Sequence, residues 1–210
     1  MGLVMKKYVH DDCLLGIWEI TEGFALLYNM LDLSDEEKDT LNSFKSHNRK
    51  LEWLSVRVLL NHMTGPGIKI FYNSNKKPFL TDRSYHISIS HSNKLTSIML
   101  SQRHRIGLDL EHVSNKISSL AGKFLTPEEE RAVDPGCRKY HVYLYWCAKE
   151  ALYKICDKQN INFREDIIID PFVPAAEGTV TGKVHTDAIR EDFTLKYFKY
   201  DDYAIVWCFK

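Results

Sequence analysis

Two acidic motifs in the second half of the chain could hold a metal ion against a phosphate group. The first is Gly107-Leu108-Asp109-Leu110-Glu111, and the second is Trp146-Cys147-Ala148-Lys149-Glu150-Ala151-Leu152-Tyr153-Lys154. Together they offer three carboxylates and a terminal lysine. Carboxylate oxygens are the ligands that magnesium takes, and the ion usually keeps water and substrate phosphate in its shell. If the two motifs meet in space, they predict a phosphoryl-type transferase.

The first motif has the alternation of a β-strand. Successive side chains of a strand point to opposite faces, so Asp109 and Glu111 share one face and the apolar residues beside them share the other. Gly107 leaves space next to the two carboxylates. Convergence on one cation is one interpretation. A solvated face of an edge strand would give the same alternation.

The second motif is predicted to lie on a helix, because the chain from about 137 to 156 lacks glycine and proline. Trp146, Glu150 and Lys154 are four residues apart and therefore line one side of that helix. An exposed Glu150–Lys154 ion pair, worth about 0.3–0.5 kcal/mol, is the alternative interpretation. The combination with Asp109 and Glu111 favours a metal site.

Several residues upstream could bind anions. Ser90, His91 and Ser92 fall at the end of a predicted strand, where hydroxyl and imidazole groups can donate to phosphate oxygens. Lys77 precedes a proline, and Arg49 stands at the start of a predicted helix. Each of these signals is weak alone, and a histidine at a strand end is often only a turn residue.

The ordered set of motifs resembles the 4′-phosphopantetheinyl transferases of the larger, surfactin-synthetase-activating (Sfp-like) type. That family carries a Ser-His-Ser segment, a Gly-Ile-Asp-x-Glu strand, a Phe-(Ser/Thr)-x-x-Glu segment and a Trp-x-x-Lys-Glu-(Ala/Ser)-x-x-Lys helix. Here the corresponding segments are 90–92, 107–111, 124–129 and 146–154, in the same order. Recognisable motifs therefore run from about residue 49 to 154.

The resemblance implies a reaction and a set of ligands. Such enzymes move the phosphopantetheine arm of coenzyme A onto a serine of an apo-acyl or peptidyl carrier protein and release adenosine 3′,5′-bisphosphate. The residues that match the magnesium ligands are Asp109, Glu111 and Glu150. Whether manganese can replace magnesium stays open.

The resemblance also assigns roles to other residues. Lys154 matches the lysine that neutralises the transferring phosphate or the leaving group. Those that match contacts to the coenzyme A phosphates are Ser90, His91, Lys77 and Arg49. Glu129 lies nearest the family's proposed general base, but Glu128 and Glu130 flank it, so the register is open, and Glu150 is a further candidate.

The two halves of the chain are similar to each other. A shift of 92 carries segment 17–20 onto 109–112 and segment 33–37 onto 125–129, and a shift of 93 carries 53–57 onto 146–150. This predicts an α+β fold of two similar lobes, 1–103 and 104–210, related by a pseudo-twofold repeat, with the active site at the seam. At the second shift Arg57 stands opposite Glu150, which would place a cation in the first lobe. Arg57 paired with a neighbouring acid is the alternative.

Composition restricts the partners. The chain of 210 residues has 28 basic and 28 acidic residues, so nucleic acid is not expected as the main ligand. The five cysteines include no C-x-x-C pair and favour a reducing cytoplasm. No leader or membrane-spanning run is visible, so no membrane partner is expected. Zinc is not expected, because no H-x-x-x-H motif is present. Duplicated lobes make a monomer sufficient.

The secondary-structure prediction follows from periodicity and breakers. Strands are predicted near 14–20, 68–72, 85–90, 95–101, 105–111, 166–170, 193–200 and 203–209. Helices are predicted near 22–31, 35–47, 49–63, 115–123, 127–134 and 138–157.

Carrier recognition is the least readable property. Carrier proteins are commonly acidic, so Arg103, His104, Arg105 and the helix near Lys116 to Lys123 are candidate contacts, although an ordinary solvated surface would look the same. Two other functions fit the motifs. One is a magnesium-dependent phosphoesterase acting on coenzyme A or a nucleotide, and the other is a non-catalytic binder of carrier proteins.

Overall fold

The computed structural model describes residues 2–114, 117–157 and 161–210. Contacts within the chain separate two compact units. Unit 1 consists of Met1–Asn73 with Pro78–Arg103, and unit 2 consists of Ser74–Lys77 with His104–Lys210. Lys77, expected in the first lobe, therefore groups with unit 2. The predicted contacts of Lys116 lie outside the described residues.

Unit 1 is built on a four-stranded antiparallel sheet in the order β1-β2-β6-β5. A separate hairpin pairs β3 with β4. The strands are β1 (Leu3–His10), β2 (Cys13–Glu19), β3 (Ile70–Tyr72), β4 (Pro78–Leu80), β5 (His86–Ser92) and β6 (Leu95–Ser101).

The helices of unit 1 are α1 (Phe24–Asn29), α2 (Asp35–Ser43) and α3 (His47–Thr64). Ser34 opens α2 with a capping box, in which its hydroxyl accepts from the Glu37 amide and the Glu37 carboxylate accepts from the Ser34 amide. α3 ends at Gly65, whose φ of 88° suits a residue without Cβ. α3 packs on β2 and β6, and its buried side supplies much of the core of this unit.

Unit 2 is built on a five-stranded antiparallel sheet in the order β7-β11-β10-β9-β8. Its strands are β7 (Ile106–His112), β8 (Ile167–Ile169), β9 (Glu177–His185), β10 (Arg190–Tyr200) and β11 (Tyr203–Phe209). Its helices are α4 (Ala121–Phe124), α5 (Pro127–Ala132) and α6 (Arg138–Ile155). α6 packs on β7 and β11 and forms the centre of the core.

The α+β class is confirmed, and most predicted elements form. Three strands were not predicted, namely β1, β4 and β9. β1 has no alternating apolar face, and β9 is interrupted by two glycines. Within the described residues, the helix predicted near 115–123 is a 3₁₀ turn at Ser118–Leu120 followed by the short α4. No helix in the described part of the chain is long and apolar enough to cross a membrane.

Each unit contains a buried ion pair between its capping-box helix and its long helix. In unit 1 the α2 capping glutamate, Glu37, pairs with Arg57 of α3 at 3.0 Å. In unit 2 the α5 capping glutamate, Glu129, pairs with Lys149 of α6 at 2.9 Å. Both pairs are related by a shift of 92. The equivalent of Arg57 is therefore Lys149, which corrects the register that placed Arg57 opposite Glu150.

Gly107 brings β7 unusually close to α6. A Cβ atom at this position would lie 2.1 Å from the carbonyl oxygen of Ala151, which is helix backbone and cannot swing aside. We expect Gly107→Ala to separate strand from helix and to lower the free energy of unfolding by about 1–3 kcal/mol. Urea denaturation measures this change.

Gly122→Ala is the matched control for this prediction, because no atom lies within 4 Å of the added methyl group. Gly122 lies in α4, where alanine is the better helix former, so stability should stay constant or rise slightly. Equal stability of Gly107→Ala and the wild type would contradict the close packing described here.

Candidate active site

β7 presents its acidic residues to α6. The cross-strand partners of Gly107, Asp109 and Glu111 on β11 belong to the core beneath that helix. Asp109 is only 3% exposed, whereas Glu111 is half-buried. A solvated face of the strand is therefore the wrong interpretation for Asp109, although β7 does lie at a sheet edge.

α6 brings its last turn onto the same strand. The ammonium group of Lys154 lies 2.7 Å from Oδ1 of Asp109 and donates to the carbonyl of Leu108 at 3.0 Å. Glu150 is half-buried and lies one helical turn before Lys154, on the same side of α6. The two sequence motifs thus meet through Lys154 and Asp109.

The buried thiol of Cys147 on α6 is affected by the charges of Asp109 and Glu111. Burial raises the pKa of the Cys147 thiol well above its ordinary value, and the negative charges of Asp109 and Glu111 raise it further. Cys147 of α6 therefore stays a protonated thiol. It packs in the core and does not act as a nucleophile.

The donors of this site fit a hard divalent cation. Asp109, Glu111 and Glu150 offer only carboxylate oxygens, which suit magnesium or manganese better than a soft metal. A carboxylate as deeply buried as that of Asp109 needs a positive partner, and Lys154 supplies one at Oδ1. The metal-ligand roles of these residues stay a prediction.

The three consecutive glutamates of α5 have different environments. Glu128 is exposed and pairs with Arg131, and Glu130 pairs with Arg138. Glu129 is 1% exposed. One of its oxygens accepts from the amide of Ile169 at 2.8 Å, and the other accepts from the amide of Thr126 and contacts Lys149.

A general base needs a carboxylate oxygen that the substrate can reach, and the environment of Glu129 does not meet this requirement. Both carboxylate oxygens are already engaged inside the core of unit 2, where an incoming hydroxyl group would not reach them. The geometry favours a structural role, in which Glu129 joins the start of α5 to α6 and β8.

Two of the predicted phosphate contacts lie together in unit 1. A guanidinium nitrogen of Arg49 on α3 lies 2.5 Å from Nε2 of His91 on β5. Glu52 contacts both, at 3.2 Å from Arg49 and 3.3 Å from His91. Ser90 is largely buried, and its carbonyl accepts from the Ser97 hydroxyl. Arg49 and His91 thus form one polar cluster, balanced by a carboxylate.

The remaining predicted residues have partners of their own. Lys77 forms an ion pair with Asp157, just beyond α6. Arg103 contacts Asp12, Arg105 contacts Glu191, and His104 packs against Phe209. Arg103, His104 and Arg105 remain candidate carrier contacts, and Lys77 remains a candidate contact to the coenzyme A phosphates.

Lys149 is the residue to which sequence reasoning gave no role. Its side chain is fully buried, and besides Glu129 it donates to the carbonyls of Phe163 at 2.9 Å and Ile167 at 2.5 Å. Burial lowers the pKa of this lysine, although Glu129 opposes the shift. The shift of 92 that aligns the capping boxes would have identified it from the sequence.

His141 of α6 makes the stability of unit 2 dependent on pH. It is fully buried, its Nδ1 accepts from the Asp134 amide, and burial lowers its pKa below the usual value of about 6.5. Above that value the histidine is neutral in both states. Below about 6.5 the unfolded chain takes up the proton more readily than the folded chain. We therefore expect the free energy of unfolding to decrease as the pH is lowered from this value to the pKa of the folded state.

Urea denaturation between neutral and mildly acid pH measures this dependence. His141→Asn keeps an acceptor near the Asp134 amide but cannot titrate, so its stability should change less over the same interval. An unchanged pH dependence in that variant would show that other groups cause it.

Residues 105–208 match the family described as the 4′-phosphopantetheinyl transferase superfamily. The matched region contains β7 and α6 with all four of the charged residues just described. Residues 105–208 therefore belong to this superfamily, which confirms the predicted family for the second half of the chain; the larger subtype stays a prediction.

Two curated proteins are similar to the chain. They are the 4′-phosphopantetheinyl transferase AcpT of Escherichia coli strain K12 and that of Escherichia coli O157:H7. Each is 28% identical over 116 residues, which is 50% of this chain and 57% of the relative. The chain thus matches little more than half of the length of either relative.

Proposed function

We propose that the protein transfers the 4′-phosphopantetheine group of coenzyme A to a serine of an apo-acyl or peptidyl carrier protein. The leaving group is adenosine 3′,5′-bisphosphate. The observation that carries this proposal is the contact between Lys154 and Asp109, which joins the two family motifs into one charged site.

In this proposal Asp109, Glu111 and Glu150 hold a divalent cation, with magnesium the best fit to an all-carboxylate set. The bound cation would neutralise charge that develops on the pyrophosphate as its bond breaks. Lys154 contributes a second positive charge, and its hydrogen bond to the Leu108 carbonyl fixes the direction of its side chain.

The attacking serine must lose a proton to a carboxylate, directly or through one water molecule. Glu150 suits this role better than Glu129, because its side chain is half-buried at the surface of α6 whereas Glu129 is enclosed and paired. We therefore assign the general base to Glu150.

The anionic ends of coenzyme A need cations and donors away from the carboxylates. Arg49 and His91 form such a group in unit 1, Ser90 directly precedes His91 in the chain, and Lys77 is a further candidate. Arg49, His91 and Lys77 would each exchange the present carboxylate partner for phosphate, which accepts charge-assisted hydrogen bonds from the same donors.

One incubation tests the proposal. Purified protein, magnesium, coenzyme A and an apo-carrier protein are mixed, and the carrier is weighed by mass spectrometry. Gain of the phosphopantetheine mass supports transfer. Free nucleotide with an unchanged carrier would indicate a phosphoesterase, and no change in either reactant would indicate a binder; both results would refute the proposal.

A further inference from the structure

The hairpin between β1 and β2 gathers three side chains that can ligate metal. His10 ends β1, Asp12 lies in the two-residue turn, and Cys13 begins β2. One ligand atom from each lies within 4.8 Å of the other two. This group belongs to unit 1 and has no part in the transfer reaction proposed above.

The hairpin geometry explains why these residues converge. His10 and Cys13 are direct cross-strand partners, so their side chains leave the same face of the ribbon with Cβ atoms about 5 Å apart. The register shifts between Tyr8 and His10, which marks a bulge that turns the end of β1. The tight turn then brings the Asp12 carboxylate beside both.

The distances suit a zinc-sized ion. Oδ1 of Asp12 lies 3.8 Å from Sγ of Cys13. Zinc binds sulfur at about 2.3 Å and carboxylate oxygen at about 2.0–2.2 Å, so a tetrahedral ion holds two such ligands roughly 3.5 Å apart. Little movement of the turn would therefore be needed.

Hydrogen bonds from Ser101 and Arg103 hold the Asp12 carboxylate in a fixed orientation. Its Oδ2 accepts from the hydroxyl of Ser101 at 2.8 Å and from the amide of Arg103 at 2.9 Å, which directs Oδ1 towards Cys13. Partners of this kind fix metal ligands in established sites. The guanidinium of Arg103 lies 3.7 Å from the same Oδ2. Because the Arg103 side chain is 69% exposed, its charge reduces the attraction of the Asp12 carboxylate for a cation only slightly.

The donor types select the metal. One imidazole nitrogen, one carboxylate oxygen and one thiolate sulfur form a mixed set that suits a borderline-soft ion and not magnesium. Cys13 and Asp12 together balance the two positive charges of such an ion once the thiol has released its proton to solvent. The sequence rule that looked for H-x-x-x-H missed this set because its spacing is H-x-D-C.

We propose that His10, Asp12 and Cys13 form a zinc site that holds the two strands of the β1–β2 hairpin together at their turn. Water completes the fourth position. The site acts on the stability of unit 1, because the ion binds the folded hairpin and the unfolded chain presents no preformed ligand set.

The test uses the full chain without coenzyme A, carrier or magnesium, so that its outcome is independent of the transfer reaction. The metal-free protein is titrated with zinc and, separately, with cobalt(II), whose bond to a thiolate gives a charge-transfer absorption band. We expect a cobalt–thiolate band that saturates at one ion per chain, since the carboxylate site of unit 2 has no thiolate ligand, and a higher thermal midpoint with zinc.

His10→Gln and Cys13→Ser should each bind one zinc ion fewer than the wild type and show a smaller zinc-dependent rise of the midpoint, and Cys13→Ser should lose the cobalt–thiolate band. His10 is half-buried, so His10→Gln tests the site even if the fully buried Cys13 does not tolerate replacement. Cys137→Ser removes the thiol of the one half-buried cysteine and should change nothing.

Ser101→Ala keeps all three ligands but removes a partner of Asp12, so zinc affinity should fall about 10–100-fold. The inference is overturned if the wild type binds no zinc, or if His10→Gln binds it as well as the wild type. A cobalt band that persists in Cys13→Ser would overturn it as well.

Discussion

We expect Asp109→Asn to lower the rate of the proposed phosphopantetheine transfer by about a hundred- to a thousandfold and to leave the protein folded. Asparagine has the size of aspartate and retains an oxygen that can accept from Lys154, so the packing of β7 on α6 is preserved. What disappears is the negative charge that, in the proposed mechanism, holds a divalent cation beside the reacting phosphate. Removal of one preorganised charge-stabilising group costs about 2.7–4 kcal/mol in an enzyme active site.

The measurement is the initial rate of carrier modification at saturating coenzyme A, together with the thermal midpoint of each protein. Asp192→Asn is the control, because Asp192 is an exposed carboxylate on β10 of the same sheet. Glu150→Ala should be as inactive as Asp109→Asn. Near-normal transfer by either variant, with the wild type active, would remove the carboxylates from the mechanism.

Lys149→Met lowers the free energy of unfolding by about 3–5 kcal/mol, the largest stability effect that we expect from one substitution. The lysine is fully buried and the Glu129 side chain is 2% exposed. Methionine fills much of the space but leaves Glu129 as a buried carboxylate without its cation, and the carbonyls of Phe163 and Ile167 lose a donor.

Urea denaturation of a small set of variants separates charge from packing. Glu129→Gln with Lys149→Met removes both charges and should recover part of the loss. Lys183→Met is the control, because Lys183 pairs with Asp170 at the surface and should cost only about 0–1 kcal/mol. A loss in Lys149→Met no greater than in this control would refute the structural role of the buried pair.

Glu129→Gln also distinguishes the two roles considered for that residue. A general base would lose rate in this variant while the protein kept its stability. A structural partner of Lys149 loses stability first, and the folded fraction retains its turnover.

The sequence allowed the prediction of those site features that have short-range periodicity. Asp109 and Glu111 share a face because strand side chains alternate, and Glu150 and Lys154 share a face because a helix turns once in about 3.6 residues. Gly107 was expected to leave space beside the carboxylates, but the backbone of α6 at Ala151 occupies the space next to it.

Features that depend on contacts between distant segments could not be predicted. The family pattern suggests a base at Glu129, but only the fold brings the amide of Ile169 and the ammonium of Lys149 onto its oxygens. Lys77 likewise finds Asp157, eighty positions away in the chain. The hairpin cluster was missed because its ligands depend on a turn between two strands, one of which was not predicted.

The internal repeat shows that a prediction of equivalent residues changes when the alignment of the two halves moves by one position. Shifts of 92 and 93 both align tryptophan- or tyrosine-led helices, but one residue rotates a helix position by about 100°. Only the shift of 92 places a cation opposite the capping glutamate in both units, with Arg57 and Lys149 as partners.

The hydrogen bonds of Glu129 have a consequence for how unit 2 opens. A single carboxylate accepts from the first turn of α5 and from β8 while it contacts the middle of α6. None of these segments can separate from the others without exposing that charge to an apolar interior. The amide protons of Thr126 and Ile169 should therefore exchange with solvent at similar, slow rates, as members of one cooperative opening unit.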